Sequence, residues 1–479
     1  MLFTRDDLLR VLHGLNPWWR GRVPVLPPFR RPIQRTCRRH VDGSSELSVL
    51  LVSGLRGTGK TTMLLQLATD LVRAGTEPRS ILYLDVGHPI FGRIPLPQIL
   101  HLYREMVHPG DRSAVLLLDE MQYARDGDQH VKALFLSRTG YRIVATESVQ
   151  EIERSLVSET QHFRWSAISS PTLSFHEYLT LRGLDPLKGG SAIDLRNPAR
   201  IEEGELAAAA RAVRPALGDF GAYLTGGGLP RPASQHGQAD AGRMLPEDAV
   251  ENILRRDIAV HFGARSVEDL KRLFVFLCMR TGDVFPIQRY ARTTEVSAAT
   301  VASHLEILER CFLVRRVAPS GPGSDAVQKA RYRVFVSDTT VRSAQLLREE
   351  ESLTDPEELQ RVVSTAILRH VVESFGRTLA GFRYWRDPHG RGRVDLVARE
   401  AAGQTVYHVV GERSKALKRS DPVVAFCRKE PVVRAFLVTP DADDVGVFRL
   451  PGIETTFVRL PAHLLTYLLG HAECRAASR

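Results

Sequence analysis

Residues Gly54, Leu55, Arg56, Gly57, Thr58, Gly59, Lys60 and Thr61 form the stretch of this 479-residue chain with the most explicit chemistry. The spacing GLRGTGKT is a Walker A pattern. Its glycines let the backbone wrap a phosphate without Cβ clashes, and successive N–H groups point at the anion. Lys60 is placed to neutralise β- and γ-phosphates, the Thr61 hydroxyl to ligate Mg2+, and Thr62 closes the nucleotide-binding set. A second signal ends the apolar run LLLDE. There Asp119 is expected to hold Mg2+ through water, and Glu120 to orient and activate the attacking water. Gln122, Thr146 and Ser148 fit a role as γ-phosphate sensors, and ordinary surface or turn chemistry fits them equally. Arg164 is the candidate for an arginine that stabilises transition-state charge, in cis or across a subunit interface. Together these residues predict ATP and Mg2+ as ligands and a P-loop ATP hydrolase as the activity.

Such groups act together only if strands carry them to one edge of a sheet. SVLLVSG runs into the glycine loop as a buried strand, and Leu64, Leu67, Ala68 and Leu71 recur after it at helical spacing. Further strands are expected over 80–86, 114–120 and 141–148. Strands alternating with helices imply a parallel sheet with its ligands at the carboxyl ends. Residues 1–46 precede this core as an N-terminal arm. The stretch RGRVPVLPPFRRPIQRTCRR is basic, and its prolines forbid one continuous helix. It reads either as a clamp on nucleotide or nucleic acid or as a solvated lead-in.

Bulk composition is that of a globular chain of two or three domains, with 43% hydrophobic and 25% charged residues. The net charge of +10 favours a polyanionic partner such as DNA, though arginine-rich composition produces the same balance without one. The five cysteines are scattered, with no spacing for zinc or a disulfide framework. No secretory signal is legible, and no apolar run approaches the ~20 residues that span a bilayer. A cytoplasmic protein is expected.

The core is assigned to 47–183 and a helical lid or linker to 184–250, which contains the glycine run GGGLPRP. Residues 251–340 show the helix, strand, turn and strand order of a winged helix-turn-helix. In it Ser297, Thr300 and His304 share one helical face that is suited to a DNA groove, while a protein-interaction surface is the other reading. Residues 341–479 form a third, mixed α/β segment.

The order GLRGTGKTT, LYLDV, LLLDEMQ, IVATES, TLSFHEYL, YLTGGGLPRP, KARYRVFVSD and YWRD…RVDLV resembles prokaryotic AAA-like ATPases (AAA_14-type) that carry a C-terminal domain of unknown function, DUF4143. The resemblance covers nearly the whole chain. It implies a P-loop core with helical lid, a winged helix and a C-terminal domain similar to restriction-endonuclease-like nucleases. Two metal-binding acids and a nearby lysine belong to such a site, and here they correspond to Asp395, Glu412 and Lys415. Two departures count against cutting: Ser364 stands where a helix acid is usual, and Lys415 is displaced from the Glu-x-Lys position. A degenerate, structural or binding site is therefore expected. Glu147 also departs, standing where the family has glycine between Thr146 and Ser148. The leading expectation is Mg-dependent ATP hydrolysis coupled to movement of the winged-helix and C-terminal segments, with DNA, a partner protein or a second copy as candidate partners. The alternatives are an ATP-gated switch with negligible turnover and an ATP-dependent nuclease.

Overall fold

A computed structural model of the protein describes residues 3–43, 49–92, 94–110, 113–124, 129, 140–150, 165–187, 193, 195, 201–234, 250–251, 253–258, 267–320, 332–346, 353–375, 381–387, 392–400, 403–410 and 417–478. The chain divides into two compact units, Met1–Pro171 with Ala477–Arg479, and Thr172–Ala476.

The first unit contains helices α1 (Arg5–Leu15), α2 (Ile33–Val41), α3 (Lys60–Arg73) and α4 (Leu96–Met106). Its strands are β1 (Val49–Ser53), β2 (Ile81–Asp85), β3 (Val115–Asp119), β4 (Arg142–Glu147) and β5 (Trp165–Ser169). They form one parallel sheet in the order β2-β3-β4-β1-β5. Every residue of β1 and β3 is buried, as expected of parallel strands covered on both faces. In α3, Met63, Leu64, Leu67, Ala68 and Leu71 are buried, at the spacing that turns one helical stripe to the sheet. Because β4 lies between β1 and β3, its carboxyl end adjoins both the loop after β1 and the acids that end β3.

Parts of the N-terminal stretch pack against the sheet and α3, while 20–28 are mostly exposed. Edge strand β2 exposes backbone groups that would otherwise pair with another chain. Asn16 answers one pair of them, donating to Tyr83 O at 2.9 Å and accepting from Tyr83 N at 2.7 Å. The Trp18 and Trp19 indoles donate to Ile81 O at 3.1 and 2.9 Å. The proline-rich stretch then follows α3: Gln66 donates to Pro27 O and Phe29 O, and Arg30 and Gln34 to Asp70.

The second unit begins with α5 (Phe175–Leu181), α6 (Glu203–Val213), α7 (Leu217–Gly226) and α8 (Pro230–Ser234). Next come α9 (Val267–Met279), β6 (Asp283–Val284), α10 (Ile287–Thr294), α11 (Ala298–Arg310), β7 (Val314–Pro319) and β8 (Arg333–Val336), with β6 and β7 both antiparallel to β8. Helices α12 (Thr339–Leu346) and α13 (Pro356–Phe375) lead to β9 (Gly381–Arg386), β10 (Arg393–Glu400) and β11 (Gly403–Val409), an antiparallel meander. The chain ends through α14 (Pro422–Lys429), β12 (Val432–Thr439), β13 (Gly446–Arg449), β14 (Thr456–Pro461) and α15 (Ala462–Ser478). Pairing of β7 with β9 makes one nine-stranded sheet, β13-β14-β12-β11-β10-β9-β7-β8-β6. That sheet runs through both of the segments separated at 340 from the sequence.

The glycine run at 226–228 is a point of close packing. Gly228 donates to Thr340 Oγ1 at 2.7 Å and accepts from Leu173 N at 2.7 Å. A Cβ there would lie 2.2 Å from Asp338 Oδ1, so any side chain would force the Asp338 carboxylate to move. TLSFHEYL likewise has a structural cause. Ser174 caps α5, and Glu177 completes a capping box with it. Phe175 N donates to His370 Nε2 at 3.0 Å, which ties α5 to α13.

Arg369 on α13 is buried between two acids, at 2.6 Å from Glu473 and 3.8 Å from Glu177. One guanidinium cannot neutralise both carboxylates. Burial pushes the Glu473 carboxyl up to about 7, with Glu177 adding to the effect and Arg369 opposing it. The folded state therefore holds a proton that the unfolded state has released, and this stabilisation is lost as pH rises through about 7. Urea midpoints should show stability about 1 kcal/mol greater at pH 6 than at pH 8. Glu473→Gln should flatten that difference; an undiminished difference in the variant would assign it to another group.

Candidate active site

The phosphate loop springs from the carboxyl end of β1 and opens α3. Gly57 and Gly59 adopt φ values of +86° and +92°, where a side chain would be strained. Gly54 is required for a different reason: a Cβ on it would lie 2.2 Å from Ser170 O, at the end of β5. Thr58 is buried and donates to Leu55 O at 3.0 Å, and Arg56 reaches Tyr123 OH at 3.3 Å. The Lys60 ammonium donates to Gly54 O at 2.7 Å and Leu55 O at 2.9 Å, so it is folded onto the loop it serves. Thr62 follows in the first turn of α3.

Thr61 Oγ1 donates to Asp119 Oδ2 at 2.6 Å, which joins the two positions expected to share Mg2+. Tyr83 OH donates to the same oxygen at 2.9 Å, and Thr146 donates to Oδ1. Burial and the adjacent Glu120 charge push the Asp119 carboxyl up, against these three hydroxyls. Tyr83 was missed from the sequence. The available signal was its place in LYLDV, two residues before Asp85, which pairs in register with Asp119.

Glu120 sits in the left-handed region at φ +55°, uncommon for a residue with a side chain. Its N–H donates to Thr146 Oγ1 at 3.0 Å. Its carboxylate accepts from Gln122 Nε2 and from Ser148 Oγ, the latter at 3.3 Å, while Gln122 Oε1 accepts from Ser148 N. The three polar residues singled out as sensors thus converge on the two acids. Glu147 points elsewhere, fully buried, and accepts from Ser53 Oγ at 2.9 Å. Arg164 lies outside the described residues. A parallel sheet, a phosphate loop after β1 and paired acids at the end of β3, with β4 between them, resemble the fold of P-loop nucleoside triphosphatases.

Residues 47–179 match the AAA domain family. Residues 217–352 match a second family, a domain of unknown function, DUF8612, and not the DUF4143 of the resemblance. The uncharacterized protein MJ1637 of Methanocaldococcus jannaschii is 26% identical over 295 residues, 60% of this chain and 60% of that protein. An uncharacterized protein of Haemophilus influenzae is 22% identical over 304 residues, 61% of this chain and 68% of that one. The match therefore spans about three fifths of the length of the archaeal relative. The Walker-type ATPase PABY2304 of Pyrococcus abyssi aligns with a TM-score of 0.38 at 12% identity, covering 66% of this chain and 96% of that one.

Outside the AAA domain stretch, the structure engages the expected groups differently. His304 is buried, and burial pulls its imidazole down, so it does not present an edge to DNA. Ser297 caps α11 by accepting from Thr300 N at 3.0 Å. Ser297 and Thr300 are exposed, together with Ala299, Ala302, Ser303 and Glu306. On the β10–β11 hairpin, Leu396 pairs with Tyr407, which sets His408 opposite Asp395. Asp395 Oδ2 accepts from His408 Nδ1 at 2.9 Å and from Val409 N at 3.0 Å. Its Oδ1 accepts from Arg393 Nε at 3.2 Å and Arg333 Nη1 at 3.4 Å. Burial alone would raise this carboxyl. The His408 hydrogen bond and charge, with Arg333 and Arg393, hold it well below the usual range. Glu412 and Lys415 lie outside the described residues. Among the described residues, no helix is long and apolar enough to cross a membrane.

Proposed function

We propose that the first unit binds ATP with Mg2+ and hydrolyses it. The observation that carries this is the convergence of Thr61, Asp119 and Glu120 at the mouth of the phosphate loop. The donor set fits a hard cation: a hydroxyl and a carboxylate oxygen 2.6 Å apart, directly after the loop. Thr61 and Asp119 would hold Mg2+, which when bound draws charge off the phosphate oxygens. The loop N–H groups and Lys60 grip the phosphates. Glu120 accepts the proton of the attacking water as its oxygen bonds to the γ-phosphorus and the bond to the β-phosphate oxygen breaks, releasing ADP. Gln122 and Ser148 fix the direction of the Glu120 carboxylate. Retention of this acid favours turnover over a pure ATP-gated switch.

The second unit supplies what turnover acts on. The order α9-β6-α10-α11-β7-β8 suits a winged helix, and α13-β9-β10-β11-α14-β12 suits a nuclease-like fold. With its oxygens engaged by Arg333, Arg393 and His408, Asp395 supports a structural part and not a cutting one. Exposed Arg289 and Arg292 on α10 beside the small exposed residues of α11 suit a duplex DNA backbone. The test is ATP hydrolysis and ATP binding by the wild type and Glu120→Gln, with and without duplex DNA. The variant should bind ATP normally and lose turnover about 100-fold or more. Wild-type turnover in the variant would assign the water to another residue. A rate and an ATP affinity indifferent to DNA, with no DNA association at low salt, would remove DNA as the partner.

A further inference from the structure

We infer that Arg31 is a positioning residue that links the phosphate loop to the point where the chain leaves the first unit. This rests on reading the loop as a nucleotide site. Arg31 lies in the proline-rich stretch before α2, yet it is only 8% exposed. Its Nη1 donates to Thr58 O at 3.1 Å and to Pro171 O at 2.6 Å, with Ser170 Oγ at 3.5 Å. Thr58 is the residue between the two left-handed glycines of the loop. Pro171 is the last residue of the unit before Thr172 begins the next.

The same two ends meet in three further ways. Ser170 N donates to Ser53 O at 2.7 Å, on the residue just before the loop. Gly54 abuts Ser170 O so closely that no Cβ fits. Thr58 Oγ1 and Ser170 Oγ lie 3.3 Å apart. Thus Ser53, Gly54 and Thr58 all bear on residues 170–171, and Arg31 braces Thr58 and Pro171 from the outside.

Guanidinium is suited to this task. The two N–H bonds of Nη1 are held in the guanidinium plane and join Thr58 O and Pro171 O in fixed geometry, whereas an ammonium is a rotating point donor on a flexible stem. A phosphate drawing the loop N–H groups inward reorients the peptide whose carbonyl Arg31 holds. That displacement reaches Pro171 through one rigid side chain. Arg31 thereby reports the state of the loop to the exit segment, without touching nucleotide.

A purely structural arginine would lower stability without altering how ATP changes the exit segment. The test uses the full chain as wild type, Arg31→Lys and Arg31→Ala. Mg-ATP affinity is measured by calorimetry, and amide hydrogen exchange is followed over 168–173 with and without Mg-ATP. In the wild type, Mg-ATP should change exchange at the Ser170 amide about tenfold. Arg31→Lys, which retains charge and bulk, should bind Mg-ATP within about threefold of wild type and lose most of that change. Arg31→Ala should lose the change altogether and bind about tenfold more weakly. A full response in Arg31→Lys overturns the inference, as does a wild type that binds Mg-ATP with no change at 168–173. A wild type that does not bind Mg-ATP defeats the nucleotide reading itself, and the calorimetry alone reveals that case.

Discussion

Lys60→Ala should lower Mg-ATP affinity about 100-fold, the largest effect expected of any single change in the loop. Two losses combine. The cation that faces the phosphates disappears, and charge-assisted hydrogen bonds of this kind are each worth about 1.5–3 kcal/mol. The carbonyls of Gly54 and Leu55, which accept from the ammonium at 2.7 and 2.9 Å, also lose their donor. The loop then has less reason to keep the curvature that Gly57 and Gly59 permit. Arg56→Ala is the control on the same loop. Arg56 reaches the neutral Tyr123 hydroxyl at 3.3 Å, and its loss should cost less than about tenfold. Calorimetric titration with Mg-ATP separates the two. Equal affinity in Lys60→Ala and wild type would place the nucleotide elsewhere.

The first unit was legible because its signals are local. Apolar runs ending in Gly54, Asp119 and Ser148 announce parallel strands whose carboxyl ends must meet, and four of the observed strands fall within a residue or two of those expected, while β5 (Trp165–Ser169) was not foreseen. The partners of those groups were less legible. Tyr83 reaches Asp119 from a neighbouring strand, and Arg31 reaches Thr58 and Pro171 across long sequence separations, which no periodicity encodes. The packing of the glycine run was hidden for a related reason. Gly228 is selected by the closeness of Asp338, more than a hundred residues later, and from sequence a close approach looks like a loop. His304 misled because helical spacing sorts residues into faces without saying which face is covered. At the hairpin, strand ends are the least legible feature. β11 stops at Val409, and the Leu396–Tyr407 pairing brings His408 opposite Asp395.

That hairpin gives the second large effect. Asp395→Ala should destabilise the second unit by about 3–5 kcal/mol, because it strands a buried charge. The Arg333 side chain is 1% exposed and the Asp395 side chain 7%. Burial pulls the Arg333 guanidinium down to about 10, so it remains charged at neutral pH. Its other described acceptors are carbonyl oxygens, those of Gly282 and of Asp395 itself. Without the carboxylate, Arg333 is left buried beside Arg393, and Val409 N and His408 lose their acceptor. The pH dependence has a definite sign. The folded-state carboxyl is held below its unfolded value, so its stabilisation is present above about pH 4 and fades as acid protonates it. Asp395→Ala should therefore weaken the protein most at neutral pH and least in strong acid. Arg333→Met made alone should also destabilise, since it leaves the carboxylate without a principal counter-charge. The double variant should recover part of the sum, because an apolar pair of similar volume replaces a desolvated ion pair. A metal-binding acid predicts the opposite pattern: its removal relieves carboxylate crowding and costs activity, not stability. An unchanged denaturation midpoint in Asp395→Ala, joined to loss of Mg2+-dependent DNA cleavage, would make Asp395 catalytic and refute the counter-ion role.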